Sequence, residues 1–422
     1  MTTNIEIAPN ITLRALQSHK FKTACFSVSF VRPHCRQTAA LDALLPSVLL
    51  RGTARYPDIS RISGRLDELY GASFGTLVRR KGEVKLTGFY ADFIEDEFLP
   101  EGERIFDPMV DFLGEVLYAP YVEKGCFSSR FVEGEKQNLI NAIESSLNDK
   151  RSYATLELLK EMCAGEDYGV PRLGYAEDVE KITAASLWEH YQKLLKESPM
   201  EIFYAGRRSP QEAADSFARL FGGRICEKKQ ELPKTRVIRQ AGEPRQITKS
   251  LDVTQGKLVM GLRTGITVEE EDYPALLLLN AVFGAGVTSK LFVNVREKLS
   301  VCYYASSNLE KYKGIMLISS GIAFENYEKA KAAILGELEA CRQGRISQEE
   351  LEAARRMVLS ALRASQDAPV QLDDFYCGMA IGGGKDLPEI MSCIEKLQVE
   401  ELTAAARKLS LDTIFFLKGE EA

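Results

Sequence analysis

Histidine is scarce in this sequence, and its cysteines form no recognisable metal-binding or disulfide pattern. Only three histidines occur among 422 residues, His19, His34 and His190, and no two of them lie within one helical turn. A zinc site built from histidines of this chain is therefore hard to form. The nine cysteines are scattered and include no Cys-x-x-Cys pair, which is typical of reduced thiols in a cytosolic protein.

The sequence also lacks an excess of basic residues, a long apolar run and the pattern of an N-terminal signal peptide. Its formal net charge is −6, whereas a dedicated nucleic-acid surface usually brings excess positive charge. Apolar runs such as residues 275–279 are much shorter than a membrane span. The first ten residues, MTTNIEIAPN, have neither a basic nor an apolar signal segment. We expect a cytoplasmic protein without a membrane span or a nucleic-acid partner.

Common signatures of nucleotide-binding proteins and serine hydrolases are absent as well. The segment GAGVTSK at 284–290 is rich in glycine, but its order differs from that of a phosphate-binding loop. The segment GGGK at 382–385 fails the same comparison, and no Gly-x-Ser-x-Gly elbow occurs. Nothing in the sequence supports a stand-alone hydrolase with an unrelated active site.

An internal repeat organises the chain. A charged segment at 226–246 with two prolines is typical of a linker, and it divides the sequence into halves of similar length. Gly52 and Gly284 are 232 residues apart, and so are Gly82 and Gly314. Between these glycines each half shows the same order of patterns: helix, helix, strand, turn, strand. We therefore predict a duplicated α+β domain.

The first apolar helix pattern lies just before Arg51, and it contains a proline. We expect this helix to begin near Leu44 or to kink at Pro46, because proline is best tolerated in the first helical turn. The corresponding helix in the second half is predicted at 273–283 and ends at Gly284. Judged by the residues that are present, both segments are ordinary core helices.

Several motifs together resemble those of the insulinase- or pitrilysin-type metallopeptidases. The second half contains FGAGVTSKLF at 283–292 and VREKLSVCYY at 295–304, and the first half contains Arg-Gly-Thr at 51–53. The segments at 173–174 and 344–351 are also similar to the family. The opening segment KFKT at 20–23 resembles a bacterial branch, the YmfF-like proteins, which lack the zinc motif. The resemblance extends over nearly the whole chain.

The resemblance implies that the first half has lost a metal site. Active members carry His-x-x-Glu-His on a helix, in which the histidines bind zinc and the glutamate activates the bound water. Here Ala43 and Ser47 replace the histidines and Pro46 replaces the glutamate, so we expect no metal and no catalytic residue in this chain alone. Glu133 or Glu135 is either the remnant of a third ligand or a solvated helix carboxylate.

The resemblance also implies a substrate-binding role for the second half. Arg296 and Tyr303 stand at the spacing of the arginine and tyrosine with which the family holds substrate, after the loop that contains Gly284 and Gly286. An arginine can donate to peptide carbonyls, and a tyrosine hydroxyl can donate to the oxyanion formed in the reaction. Without the motif, the two residues would be an exposed arginine at a helix end and a half-buried strand tyrosine.

The expected fold class is α+β, with two homologous insulinase-type domains that form half of a clamshell chamber. Each domain is expected to have a mostly antiparallel sheet packed with helices, in residues 1–225 and 247–422 on either side of the 226–246 linker. The resemblance implies a non-zinc-binding subunit of a heterodimeric peptidase, whose homologous partner brings zinc and whose substrate is a peptide. The alternative is a non-catalytic scaffold or a peptide-binding pseudopeptidase. Arg296 and Tyr303 distinguish the two, because a scaffold does not need them.

Overall fold

The computed structural model describes residues 2–146, 148–223 and 232–420. Its strands are β1 Thr3–Ala8, β2 Ile11–Gln17, β3 Thr23–Pro33, β4 Ser73–Lys81, β5 Val84–Ile94, β6 Val122–Glu123, β7 Cys126–Phe127, β8 Met200–Gly206, β9 Arg245–Leu251, β10 Gly256–Arg263, β11 Tyr304–Glu310, β12 Ile315–Ile322 and β13 Ser410–Gly419.

The helices occur singly or in runs between these strands. They are α1 Arg36–Leu49, α2 Ile59–Glu68, α3 Phe106–Tyr118, α4 Ser129–Ser145, α5 Lys150–Met162, α6 Ala176–Glu180, α7 Ala184–Glu197, α8 Pro210–Phe221, α9 Tyr273–Phe283, α10 Tyr327–Arg342, α11 Gln348–Ser365, α12 Pro369–Gly382, α13 Leu387–Lys396 and α14 Val399–Lys408. A π-helical segment occupies Leu291–Lys298. Among the described residues, no helix has both the length and the apolarity that crossing a membrane would require.

The chain folds into two compact units, and neither is a continuous segment. Unit 1 contains residues 1–144, 170–234 and 367–381, whereas unit 2 contains 145–169, 235–366 and 382–422. This division differs from the predicted 1–225 and 247–422 because two segments exchange places. The segment that carries α5 packs in unit 2, and the segment that carries most of α12 packs in unit 1.

The two units have the same sheet topology, so the predicted duplication of an α+β fold is confirmed. The sheet of unit 1 has the order β1-β2-β8-β3-β5-β4, and that of unit 2, listed in the same sense, is β9-β13-β10-β12-β11. The strand pairs β2–β8 and β9–β13 are parallel, and the remaining pairs of each sheet are antiparallel. Only β1 has no counterpart in unit 2 among the described residues.

The core of unit 1 fills the space between its sheet and helices of the same unit. Phe26 on β3 contacts Phe106 and Phe217 edge to face, with ring centroids 6.4 and 5.6 Å away. Such edge-to-face pairs are favourable because the positive ring edge meets the negative ring face. On α12, Tyr376 stacks on Phe203 of β8. Because both faces of β3 are covered, nearly every one of its residues is buried.

In unit 2, α5 packs against the sheet, as α12 does in unit 1. Leu158 and Met162 on α5 pack against the sheet beside Val259 and Phe415, in one cluster of buried residues. Gly261 on β10 permits this close approach, because a Cβ there would lie 2.4 Å from the Met162 sulfur. The sheet is thus covered on both faces, which explains the almost uniform burial of β10.

Two local predictions, the start of α1 and the linker, can be compared with the structure. Helix α1 begins at Arg36 and continues past Pro46 to Leu49, so the predicted start near Leu44 was wrong. The buried apolar residues on both sides of Pro46 offset the loss of the hydrogen bond that its nitrogen cannot donate. In the predicted linker, residues 226–231 lie outside the described residues, and 232–244 form no helix or strand before β9.

Candidate functional site

The positions of the predicted degenerate zinc motif lie on α1, and two of them face one cavity of unit 1. Ala43 and Ser47 are one helical turn apart and both line this cavity. Its volume is about 550 Å³. The edge strand β4 contributes one wall through residues 76–79, and α4 contributes Glu135. We call this space the unit 1 cavity.

Glu135 is the carboxylate that lies in the unit 1 cavity, and it is already paired. Its Oε1 is 3.3 Å from the Arg51 guanidinium, and its Oε2 accepts a hydrogen bond of 3.2 Å from Asn138. The Glu135 side chain is 12% exposed. Glu133 does not line the cavity; it pairs with Lys136 and its side chain is 64% exposed. Arg51 therefore links the Arg-Gly-Thr motif to the helix of the predicted third ligand.

The residues of the unit 1 cavity do not fit a zinc ion. Ala43 has no donor atom and the Ser47 hydroxyl is a poor ligand, and Glu135 is the one carboxylate in a described lining that contains no histidine or cysteine. Zinc sites need at least three protein ligands of the His, Cys or carboxylate type. Within the described ranges, no group of three such residues is positioned to hold a metal ion.

A buried charge network behind α1 fixes the helix in place. Asp42 is 1% exposed, accepts a hydrogen bond of 2.8 Å from His190 Nε2, and lies 3.7 Å from the Arg32 guanidinium. Burial alone would raise the pKa of Asp42, but His190 and Arg32 outweigh it and hold the pKa below its usual value. This network orients α1 so that Ala43 and Ser47 face the unit 1 cavity.

Unit 2 brings together all four predicted substrate-binding residues. Gly284, Gly286, Arg296 and Tyr303 line one groove of about 530 Å³. Residues 304–308 of the edge strand β11 form its other wall. We call this space the unit 2 groove. The Gly-rich loop reaches the strand edge, since Ser307 N–H donates to the Gly284 carbonyl at 3.0 Å.

Arg296 and Tyr303 differ in the contacts that their side chains make with other residues of the chain. Arg296 Nε donates to the Tyr303 carbonyl at 2.9 Å, its guanidinium is 3.4 Å from Glu297, and it lies over the Phe292 ring. Tyr303 is 60% exposed. Within the described residues, its hydroxyl has no hydrogen-bond partner, so it remains available to a bound molecule.

The two glycines lie in close packing rather than at unusual backbone angles, and only Gly284 meets atoms that cannot easily move. A Cβ at Gly284 would lie 2.5 Å from the Ser307 hydroxyl, and one at Gly286 would lie 2.5 Å from the Met357 sulfur. Any larger residue at Gly284 would push the loop away from β11, because its Cβ would meet the hydroxyl and amide of buried Ser307 and the side chain of buried Leu291.

The structure also brings motif residues into contacts that the sequence did not predict. Lys290 Nζ is 2.8 Å from Glu350 at the start of α11, and Lys290 is buried. Two separate motif segments are therefore joined by one ion pair that anchors the end of the Gly-rich loop. Arg151, the second residue of α5, also lines the unit 2 groove, although no motif marked it.

Whole-chain similarity links the two sites to a peptidase family. A profile described as "Peptidase M16 inactive domain" matches residues 181–358. The chain is 31% identical over 412 residues to the "Probable inactive metalloprotease YmfF" of Bacillus subtilis, covering 97% of this chain and 96% of the relative. A conserved protein from Enterococcus faecalis V583 has a similar structure, with a TM-score of 0.92, 29% identity, and coverage of 100% and 99%. A peptidase M16 inactive domain from Pseudomonas fluorescens has a TM-score of 0.78 at 19% identity, covering 99% of this chain and 98% of that one.

Proposed function

The chain belongs to the M16 family of insulinase- and pitrilysin-type metallopeptidases, and on that premise we propose that it is the non-zinc-binding subunit of a heterodimeric peptidase. In this proposal a homologous partner supplies the His-x-x-Glu-His zinc site. This chain supplies the unit 2 groove, in which Arg296 and Tyr303 hold a peptide substrate. The chain alone is then inactive, because its unit 1 cavity lacks a zinc ligand set.

The observation that carries the proposal is the free hydroxyl of Tyr303 at the wall of the unit 2 groove. An exposed tyrosine beside an arginine is suited to hold a peptide carbonyl and to donate to the oxyanion that forms on it. The peptide would pair with the edge of β11 before Ser307, because the Ser307 amide is already bonded to the Gly-rich loop. Zinc in the partner would supply the activated water.

A second candidate function is a peptide-binding pseudopeptidase or scaffold without any part in catalysis. The contacts of Arg296 favour this candidate, because its bonds to Tyr303 and Glu297 stabilise the local turn. The Tyr303 hydroxyl has no such structural use among the described residues. Removal of that hydroxyl therefore separates the two functions better than any change at Arg296.

The test mixes this chain with a zinc-bearing subunit of the same family and measures cleavage of a peptide substrate. We expect Tyr303→Phe to leave assembly and thermal unfolding unchanged and to lower the rate by about 100-fold or more, as loss of an oxyanion donor does. Arg296→Ala should also lower the rate, with some loss of local stability.

Tyr304→Phe is the matched control, because Tyr304 lines the same groove at the next position. It should retain most of the activity. Full activity of the Tyr303→Phe and Arg296→Ala complexes would leave the scaffold as the better account. Peptidase activity of the chain alone, removed by a chelator, would contradict both candidates.

A further inference from the structure

Arg151 is a basic residue of the unit 2 groove that comes from the exchanged segment. It follows the helix cap Asp149 at the start of α5, far in sequence from the Gly-rich loop and from Tyr303. Its Nη2 donates to the Ser306 hydroxyl at 2.8 Å, and its guanidinium lies 4.5 Å from the Tyr304 ring centroid. Both partners belong to the groove wall formed by β11, so Arg151 is held against that wall.

Within the described part of the chain Arg151 has no carboxylate at ion-pair distance, although its charge adds to the Ser152 hydrogen bond in lowering the pKa of Asp149. Asp149 is its nearest acidic neighbour in sequence, but it accepts hydrogen bonds from the Arg151 amide and from Ser152 as the cap of α5. Arg151 forms no ion pair with any described carboxylate. Arg296, by contrast, lies 3.4 Å from Glu297. Arg151 therefore has more capacity for a ligand carboxylate than Arg296 has.

The lining of the unit 2 groove is positive overall. Arg151 and Arg296 both line it, and no aspartate or glutamate is among its described lining residues. Lys257 adds a third cation near the Tyr304 ring, 5.9 Å from its centroid. Burial lowers the pKa of Lys257; the Asp149 charge opposes this effect, and the Arg151 charge adds to it.

We propose that Arg151 selects peptides that carry an acidic side chain, by pairing with that carboxylate in the unit 2 groove. The proposal rests on the proposed function, because it names the substrate class of the same groove. A guanidinium fixed by a hydroxyl and an aromatic ring is preorganised for a carboxylate. The exchanged helix thus contributes a specificity-determining residue that the Gly-rich motif does not contain.

The experiment measures binding of two labelled peptides to the full chain by fluorescence anisotropy. The peptides share an extended, β-branched composition and differ only in having glutamate or lysine at the central position. We expect the wild-type chain to bind the glutamate peptide about fivefold more tightly, as one partly exposed ion pair allows. The preference should decrease at high salt because mobile ions screen the pair.

Variants at two adjacent positions separate this pairing from general electrostatics. Arg151→Gln should reduce the preference to about onefold, and Arg151→Glu should reverse it towards the lysine peptide. Lys150→Gln is the matched control: it removes the same charge at the neighbouring residue, which does not line the groove, and it should retain the preference. Circular dichroism checks that each variant is folded.

Three results would overturn the inference: no binding of either peptide, no preference in the wild-type chain, or an unchanged preference in Arg151→Gln. The cleavage test with the zinc-bearing subunit is read separately. If Tyr303→Phe abolishes cleavage while Arg151→Gln keeps the preference, the proposed function stands and this inference fails. If Arg151 controls the preference while Tyr303→Phe cleaves normally, the acidic-peptide site stands and the catalytic role of the groove fails.

Discussion

At the scale of single residues, two positions of the predicted degenerate zinc motif line the unit 1 cavity and carry no zinc-binding side chain. Ala43 and Ser47 are four residues apart on α1, so histidines there would share one helix face. Glu135 already lines the same cavity. The obstacles to zinc are therefore two missing imidazoles and the contacts that occupy Glu135.

Restoring the two histidines tests whether the cavity has kept the geometry of a metal site. We expect Ala43→His with Ser47→His to bind about one zinc per chain, because two histidines and Glu135 make a three-ligand set. Metal analysis after dialysis measures the amount of zinc bound per chain. Adding Glu135→Gln should remove most of the zinc, and Arg51→Gln should tighten binding by releasing the carboxylate. Equal zinc in the wild type and the double variant would show that the geometry has been lost.

His34 is a residue whose burial should make stability depend on pH. It is 1% exposed, and its Nε2 lies 3.0 Å from the Val170 carbonyl. Burial lowers the pKa of His34 from 6.5 to about 4. The unfolded chain therefore takes up a proton at a higher pH than the folded chain does. This contribution to stability is present above pH 6.5 and is lost as the pH falls towards 4.

We expect His34 to account for a loss of about 2 kcal/mol in the free energy of unfolding between pH 7 and pH 5. Urea unfolding at both pH values measures the loss. His34→Gln is the control, because its amide can donate to Val170 without titrating. The variant should lose about 2 kcal/mol less than the wild type over the same interval. Parallel losses in the two proteins would exclude His34 as the source.

The sequence predicted which motif residues of unit 2 lie together better than it predicted their surroundings. Arg296 and Tyr303 stand within one continuous motif, and the structure brings them into one groove with Gly284; their role in binding stays a prediction. The sequence did not predict that Arg151 lines the groove. Arg151 lies in the segment 145–169, which belongs to unit 2 although the residues before and after it belong to unit 1. Its position depends on packing between distant segments, which local sequence patterns do not encode.

At the scale of secondary-structure elements, the bounds of an element were predicted well where residues such as proline or glycine marked both of its ends. Helix α9 matches its predicted bounds because Pro274 is favourable in the first turn and Gly284 ends the helix. Helix α4 ends at Ser145, and α5 begins at Lys150. Nothing in the apolar pattern of α5 indicates which sheet it will cover, so its exchange into unit 2 could not be predicted.

Each exchanged segment forms an ion pair with a lysine, and the two lysines occupy equivalent positions in the hairpins of the two units. Lys81 and Lys313 are 232 residues apart. Lys81 lies 2.6 Å from Asp374 of α12 in unit 1, and Lys313 lies 2.8 Å from Glu166, which follows α5, in unit 2. The second pair is the more deeply buried, with side-chain exposures of 0% and 4%, whereas Asp374 is 47% exposed.

This difference in burial predicts unequal effects of the same substitution. Lys313→Met should destabilise the protein by about 3 kcal/mol, because it leaves Glu166 buried with less compensating charge. Lys81→Met should cost about 1 kcal/mol or less, because water solvates Asp374. Thermal unfolding of the two variants in parallel measures the difference. Equal midpoints, or a larger loss for Lys81→Met, would contradict the assigned role of the buried pair.

At the scale of the whole molecule, the exchange makes each unit depend on the other half of the sequence. Without residues 145–169, the sheet of unit 2 would expose the face that Leu158 and Met162 cover. Without residues 367–381, unit 1 would lose Tyr376 from the stack on Phe203 and would leave Arg79 without Asp373. The central strands β3 and β10 are buried at nearly every residue, so each unit needs both faces of its sheet covered.

We therefore expect residues 1–225 and 247–422, produced separately, to fail to fold, although the linker between them is a natural boundary in sequence. Each fragment should bind a hydrophobic dye and unfold without a cooperative transition. Produced together, the fragments should form one complex that regains cooperative unfolding, because each then receives its missing helix. Extending the second fragment to include a copy of residues 145–169 should rescue its folding alone, and Leu158→Asp in that copy should prevent the rescue. Cooperative unfolding of both original fragments in isolation would show that the exchanged helices are dispensable, and that the two halves are independent domains.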